Sequence, residues 1–194
     1  MSDVAARDHP AASSLACWGM HEAKIEDTDT GRQPADDGWF ILNLAEVPWA
    51  AVPGGGTWCL FEPPDARWPA LGFGVHILYP GDAPGFYHAE SNQEGFLVLS
   101  GECLAIVEGE ERPMGPWDYL HCPPGTAHIT IGAGDGPCAI VMVGTRSPDT
   151  TIDYLPDATA ARHGHAVDVA TDSPREAYAN RPPIVPAPSP WPLR

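Results

Sequence analysis

Between Thr57 and Thr145 the chain divides into short apolar runs, each closed by a turn containing Gly or Pro. The runs are Thr57–Phe61, Gly72–Tyr79, Gly95–Leu99, Cys103–Val107, Tyr119–Cys122, His128–Ile131 and Ala139–Val143. Pro80-Gly81-Asp82, Ser100-Gly101-Glu102, Glu108-Gly109-Glu110-Glu111, Pro123-Pro124-Gly125 and the stretch 132–137 separate them. Short strands punctuated this regularly predict an antiparallel sandwich or barrel. Phe96-Leu97-Val98-Leu99 is apolar at both alternating positions, so both faces of its sheet have to be covered. A closed or two-sheet barrel meets that demand, and an open sheet with one wet face does not.

The flanks read differently. Residues 1–37 are polar, alanine-rich and acidic without a sustained period, which predicts a flexible arm. Order is expected from Gly38, where Trp39-Phe40-Ile41-Leu42 forms an apolar run, followed by a loop through Val47-Pro48-Trp49 and Pro53-Gly54-Gly55-Gly56. Past the strands, the alanine-rich stretch Asp157–His163 ends at Gly164 and predicts a short helix with a glycine stop. Ser173-Pro174-Arg175-Glu176 combines a capping serine, proline at the first helical position and Glu three residues after the cap, opening a second helix through Ala179. The proline-rich segment from Arg181 to Arg194 is extended, either along the barrel or on a neighbouring subunit. The expected division is therefore an arm over 1–37, one barrel over 38–146 and an extension over 147–194, with no internal repeat.

Charge narrows the partners. Ten basic and 26 acidic residues give a net −16, the opposite of what a phosphate backbone or an anionic membrane surface attracts. No apolar run approaches the roughly 20 residues that span a bilayer, and Met1 to Asp8 lacks the start of a signal peptide. A cytoplasmic protein is expected, without nucleic-acid or membrane partners. The five cysteines, Cys17, Cys59, Cys103, Cys122 and Cys138, are odd in number and include no C-x-x-C pair, which suits reduced thiols. Cys103, Cys122 and Cys138 lie among strand residues, where a free thiol behaves as a small buried hydrophobe.

Two clusters carry chemistry. In the first, His88 and Glu90 are two apart in extended chain and share a side, and Glu94 opens the next strand after the turn at Ser91–Gln93, facing them across the pair. The second, Trp117 to His128, delivers another imidazole just after Pro123-Pro124-Gly125. Two imidazoles with one or two carboxylates make a mixed N/O site, suited to Fe, Mn, Ni, Co or Zn as a divalent ion, with positions left for water or substrate. Without a metal, Glu90 and Glu94 side by side would raise one carboxyl pKa and form an acid/base pair. His121 is a candidate to line the pocket, as is the Tyr87 phenol, although alternation turns Tyr87 toward outer-face packing. The pair in His163-Gly164-His165 has ligand spacing but lies beside a helix stop and reads as incidental.

These clusters resemble the two motifs of the cupin superfamily. Glu94 and Gly101 satisfy E-x6-G of the first motif, His88 matches its first His, and Gly81 stands one residue further back than the pattern places it. Pro123, Gly125 and His128 match the second, with Trp117 at its first Gly and Gly132 at its final Asn. The resemblance implies an all-β, double-stranded antiparallel barrel (the cupin jelly roll), frequently a homodimer. It implies one divalent metal held by His88, Glu90, Glu94 and His128, with Glu90 in the place of a second His. Glu90 and Glu94 are the expected catalytic groups on a small organic substrate, in dioxygenase, isomerase or lyase chemistry. A non-catalytic cupin that binds a sugar or metabolite, and a metal-free acid/base enzyme resembling the cupin sugar epimerases, are the alternatives, because one fold hosts many functions.

Overall fold

The computed structural model describes residues 21–62 and 68–191. The central runs form strands β4 (Gly56–Cys59), β5 (Leu71–Leu78), β7 (Glu94–Ser100), β8 (Glu102–Val107), β10 (Tyr119–Cys122), β11 (Ala127–Ala133) and β12 (Cys138–Thr145). Further strands are β1 (Ile25–Thr28), β2 (Gly31–Pro34), β3 (Trp49–Val52), β6 (His88–Glu90), β9 (Glu110–Met114), β13 (Ile152–Tyr154) and β14 (Val185–Ala187). β1 and β2 pair with each other as a separate ribbon, and the other twelve build a seven-stranded sheet, β10-β7-β12-β5-β4-β3-β14, facing a five-stranded one, β13-β6-β11-β8-β9. All pairings are antiparallel, and the result is the expected jelly-roll barrel. Among the described residues no helix is long and apolar enough to cross a membrane.

Three apolar layers explain why the strands are apolar on both faces. Between the sheets lie Leu78, Phe96, Val98, Cys103, Ala105, Met114, Cys122, Cys138 and Ile140. Outside the large sheet, Val47, Trp49, Val75 and Ile77 pack together under Leu42, Leu44 and Ala187. Outside the small sheet, Tyr87, Ile106, Ile129 and Ile131 are covered by Ala160 of helix α1 (Ala158–Arg162). β11 is consequently buried from Ala127 to Gly132.

Of two departures from the motif pattern, close packing dictates one and the other leaves the backbone strained. A Cβ on Gly132 would stand 2.2 Å from the Tyr79 carbonyl oxygen, so the turn 79–82 leaves room for glycine only. Trp117, at the position of the motif's first Gly, keeps the left-handed backbone that position requires, with φ +74°, although it is a bulky residue.

Several expectations need correction. The ribbon β1–β2 lies inside the segment expected to be a flexible arm; residues 1–20 of that segment, Cys17 among them, are outside the described residues. The stretch read as a loop at Trp49 continues as β3, because the proline-rich tail returns to it: Val185, Pro186 and Ala187 of β14 register with Ala51, Ala50 and Trp49. Pro186 is tolerated there because β14 is a sheet edge. The separator at Glu110-Glu111 belongs to β9. Both helices start where expected: Asp157 caps α1 through Ala160 N, and Ser173 caps α2 (Pro174–Ala177) through Glu176 N. The second is shorter than the sequence indicated.

Candidate metal centre

Register brings the two imidazoles together. His88 of β6 is the direct antiparallel partner of His128 of β11, so their rings stand side by side with centroids 4.9 Å apart. Each ring is pinned by a carbonyl two residues upstream, His88 Nδ1 to Phe86 O at 2.7 Å and His128 Nδ1 to Thr126 O at 3.0 Å. A carbonyl only accepts, so each Nδ1 carries the proton and each Nε2 presents a lone pair. That second-partner arrangement is the one that orients metal-ligating histidines.

Glu94 arrives from the opposite sheet. The expected pairing of β6 with β7 does not form: the turn at Ser91–Gln93 carries the chain from the small sheet to the large one. Glu94 Oε2 lies 3.3 Å from His128 Nε2, and ligand atoms of His88, Glu94 and His128 all fall within 4.8 Å of one another. Glu90 is not in this group: it shares the His88 side, with Oε1 3.8 Å from His88 Nε2, and lines the adjoining cavity.

The electrostatics describe a site short of positive charge. His128 is 2 % exposed, and its Nε2 is sealed from solvent without a hydrogen-bond partner. Burial pushes its pKa down to about 4. Burial, and then the charge of Glu90, push the Glu94 carboxyl up to about 8. Leaving a buried nitrogen lone pair unsatisfied beside a carboxylate is costly, and a cation bonded to both relieves it. The residues present therefore fit a divalent metal with two imidazole nitrogens and one carboxylate, one of the ligand sets that leaves positions open.

The remaining candidates lie elsewhere. Tyr87 is buried on the outer face of the small sheet, where its hydroxyl accepts from Gly109 N at 3.0 Å, so it is not a pocket phenol. His121 is exposed, because Leu120 and Cys122 on either side turn inward. His163 bonds Glu111 and His165 bonds the Gly81 carbonyl, so that pair is not a ligand pair. Two residues without a motif signal join the site: Phe96, whose ring centroid lies 5.1 Å from that of His128, and His76, which lines the same cavity. The cavity has a volume of about 710 Å³ and runs from Glu90 and Glu94 past Gly144, Gly72 and Gly74 to His76 and Trp58.

Comparison with known proteins gives a consistent picture. Residues 74–144 match the Cupin domain family. Glucose-6-phosphate isomerase of Pyrococcus abyssi is 30 % identical over 125 residues, covering 58 % of this chain and 64 % of that protein. The enzyme of the same name from Thermococcus litoralis is 29 % identical over 125 residues, with 58 % and 63 % covered. The chain thus spans less than two thirds of these relatives. In structure, a sugar phosphate isomerase of the cupin superfamily from Silicibacter pomeroyi superposes with a TM-score of 0.52 at 23 % identity, over 62 % of this chain and 88 % of that one.

Proposed function

We propose, from the premise that this chain is a member of the cupin superfamily, that it is a metal-dependent isomerase of a sugar-like hydroxycarbonyl compound. His88 Nε2, His128 Nε2 and the Glu94 carboxylate hold one divalent ion, Fe, Mn, Ni, Co or Zn. Such an ion supplies Lewis acidity toward a carbonyl oxygen. The observation that carries the reading is the orphaned, buried Nε2 of His128 beside Glu94. The names of the Pyrococcus and Thermococcus relatives supply the reaction class.

Glu90 moves the proton. Standing in the cavity outside the ligand group, its carboxylate takes the hydrogen from the hydroxyl-bearing carbon next to the carbonyl and delivers it to the former carbonyl carbon. One C–H bond breaks and one forms, the hydroxyl proton changes oxygen, and Glu90 ends as it began. Phe96 and Met142 wall the site and limit water.

A second reading has its own support. With its pKa pushed up to about 8, Glu94 is protonated at neutral pH beside Glu90, an acid/base pair that would need no metal. One experiment separates the two. Protein loaded with each of the five metals is incubated with D-fructose 6-phosphate in D2O and followed by proton NMR. Interconversion with D-glucose 6-phosphate, loss of rate in EDTA and recovery on adding metal is the expected result, with Glu90→Gln slowed about 10²- to 10⁴-fold while keeping its metal. Activity that persists in EDTA selects the acid/base pair. No interconversion with any metal overturns the isomerase.

A further inference from the structure

We infer that His76 is a second substrate contact, donating a hydrogen bond from Nε2 to a substrate oxygen at the end of the cavity remote from the metal ligands; the inference rests on the cavity being the substrate site proposed above. The inward face of β5 presents Gly72, Gly74, His76 and Leu78 in turn. Through β12, Gly72 shares a rung with Gly144 and Glu94, Gly74 with Met142 and Phe96, and His76 with Ile140 and Val98. His76 is thus two rungs from Glu94, about 13 Å along the strand, with the rung of Gly74 between them.

Glycine keeps that interval open. A Cβ on Gly74 would stand 3.5 Å from His76 Nε2, and one on Gly144 would stand 3.5 Å from Glu94 Cγ. Any larger residue at Gly74 would project a side chain into the space in front of the imidazole. The ring itself cannot turn away freely, since its cross-strand partner Trp58 stacks on it, with centroids 6.1 Å apart and planes 20° from parallel.

The two ring nitrogens have different surroundings. Nδ1 is sealed from solvent and has no partner among the described residues, whereas Nε2 lies on the Gly74 side, which lines the cavity. Burial pushes the ring's pKa down to about 4, so it carries a single proton at neutral pH. An N–H at Nδ1 would be a buried donor without an acceptor, a costly state, so the proton belongs on Nε2. A neutral donor then points into the cavity with no protein acceptor among the described residues. The separation from Glu94 assigns it to a hydroxyl or phosphoryl oxygen at the far end of a hexose-sized substrate, not to the reacting carbonyl.

The test uses the metal-loaded full chain with D-fructose 6-phosphate as probe. Long-range nitrogen–proton NMR of the wild type is expected to report the Nε2–H tautomer of His76; the Nδ1–H tautomer overturns the inference even if no variant folds. By calorimetry, His76→Phe is expected to bind the probe about tenfold more weakly, the cost of about one hydrogen bond. His76→Gln, which keeps an N–H donor, recovers most of the loss. Metal content stays that of the wild type, and KM rises with kcat nearly unchanged, as for a contact made equally in ground and transition states. Equal affinity in wild type and His76→Phe overturns the inference. A wild type that binds without turnover, and loses affinity in His76→Phe, overturns the isomerase and leaves the His76 contact standing. A wild type that binds neither fructose 6-phosphate nor fructose overturns both.

Discussion

The two ends of the barrel interior are made by the same strands and differ completely in character. At the closed end, Leu78, Val98, Cys103, Ala105, Cys138 and Ile140 fill the space between the sheets, each at most 1 % exposed. Two rungs from Val98 and Ile140 the same β5, β7 and β12 present Gly72, Glu94 and Gly144, and volume gives way to a cavity. Backbone pairing runs through both ends, with one register shift in the β12–β7 ladder between Ala139 and Ile140. The difference therefore lies in single side chains at every second position, which is the freedom that a period of two allows. The closed end supplies the packing that lets the mouth keep a sealed, unpartnered nitrogen and two neighbouring carboxylates. Cys122 marks the boundary: it is the register partner of Glu94, yet it packs in the apolar core outside the ligand group, where burial and then the Glu94 charge push its thiol up to about 12.

If the mouth is chemistry and the closed end is stability, substitutions should separate the two. The largest effect is expected from His128→Ala. Metal that survives dialysis in the wild type should be lost, and isomerisation of fructose 6-phosphate should fall about a thousandfold or more, the rate equivalent of several kcal/mol. Elemental analysis beside the rate assay checks both. Metal retained at full stoichiometry would break the assignment of His128.

Ile140→Ala tests the other end. Removing a fully buried side chain there should cost about 2–5 kcal/mol of unfolding free energy in a urea titration, while the metal content of the remaining folded protein stays unchanged. Loss of metal at native conditions would mean that the two ends are not independent.

The sequence announces these ends unequally. The seven central strands were legible because alternation and Gly/Pro turns are local signals. β9 was not, since Glu110, Glu111, Arg112 and Pro113 are exposed at a sheet edge and carry no apolar period. The β3–β14 pair was not, since Ala50 meets Pro186 across most of the chain and neither segment records the other. At the site, motif spacing singled out His88, Glu94 and His128. Glu90 shares the His88 side as period two requires, but its exclusion from the group follows from β6 and β7 lying in opposite sheets. His76 gave no signal as one histidine in an apolar strand. Its meaning comes from Gly74 and Trp58 around it.

A smaller effect distinguishes the ends by pH in protein stripped of metal. Glu94 has its pKa raised by folding, so folding favours the protonated form; its contribution is full below the unfolded value near 4.5 and is lost as pH rises toward 8. His128 and His76 have theirs lowered to about 4, so their cost to the fold appears as pH falls from 6.5 toward 4. The two trends oppose each other below 6.5. Between 6.5 and 8 only the Glu94 trend acts among these three groups, so the melting temperature of the stripped protein should decline across that window. Glu94→Gln should remove the decline, and bound metal should suppress it. A flat profile in the stripped wild type would remove the charge deficit from the description of the mouth.

The smallest effect is a control whose side chain enters neither end. Trp117 holds φ +74° with its side chain 75 % exposed, so the residue bears a backbone cost without burying much apolar surface in return. Left-handed backbone costs an L-residue about 1–2 kcal/mol, and glycine avoids that cost while adding some chain entropy to the unfolded state. The difference leaves a gain of up to about 1 kcal/mol for Trp117→Gly, a rise of about 2–4 °C in melting temperature for a chain of this size. Trp117 N donates to Val98 O at 2.8 Å, and glycine keeps that bond. Because the strain is confined to a turn outside both ends of the interior, metal content, KM and the pH profile should match the wild type. A stability gain that also altered any of these would show that the turn before β10 transmits to Glu94 through their shared sheet, and the separation between closed end and mouth would have to be redrawn along β7.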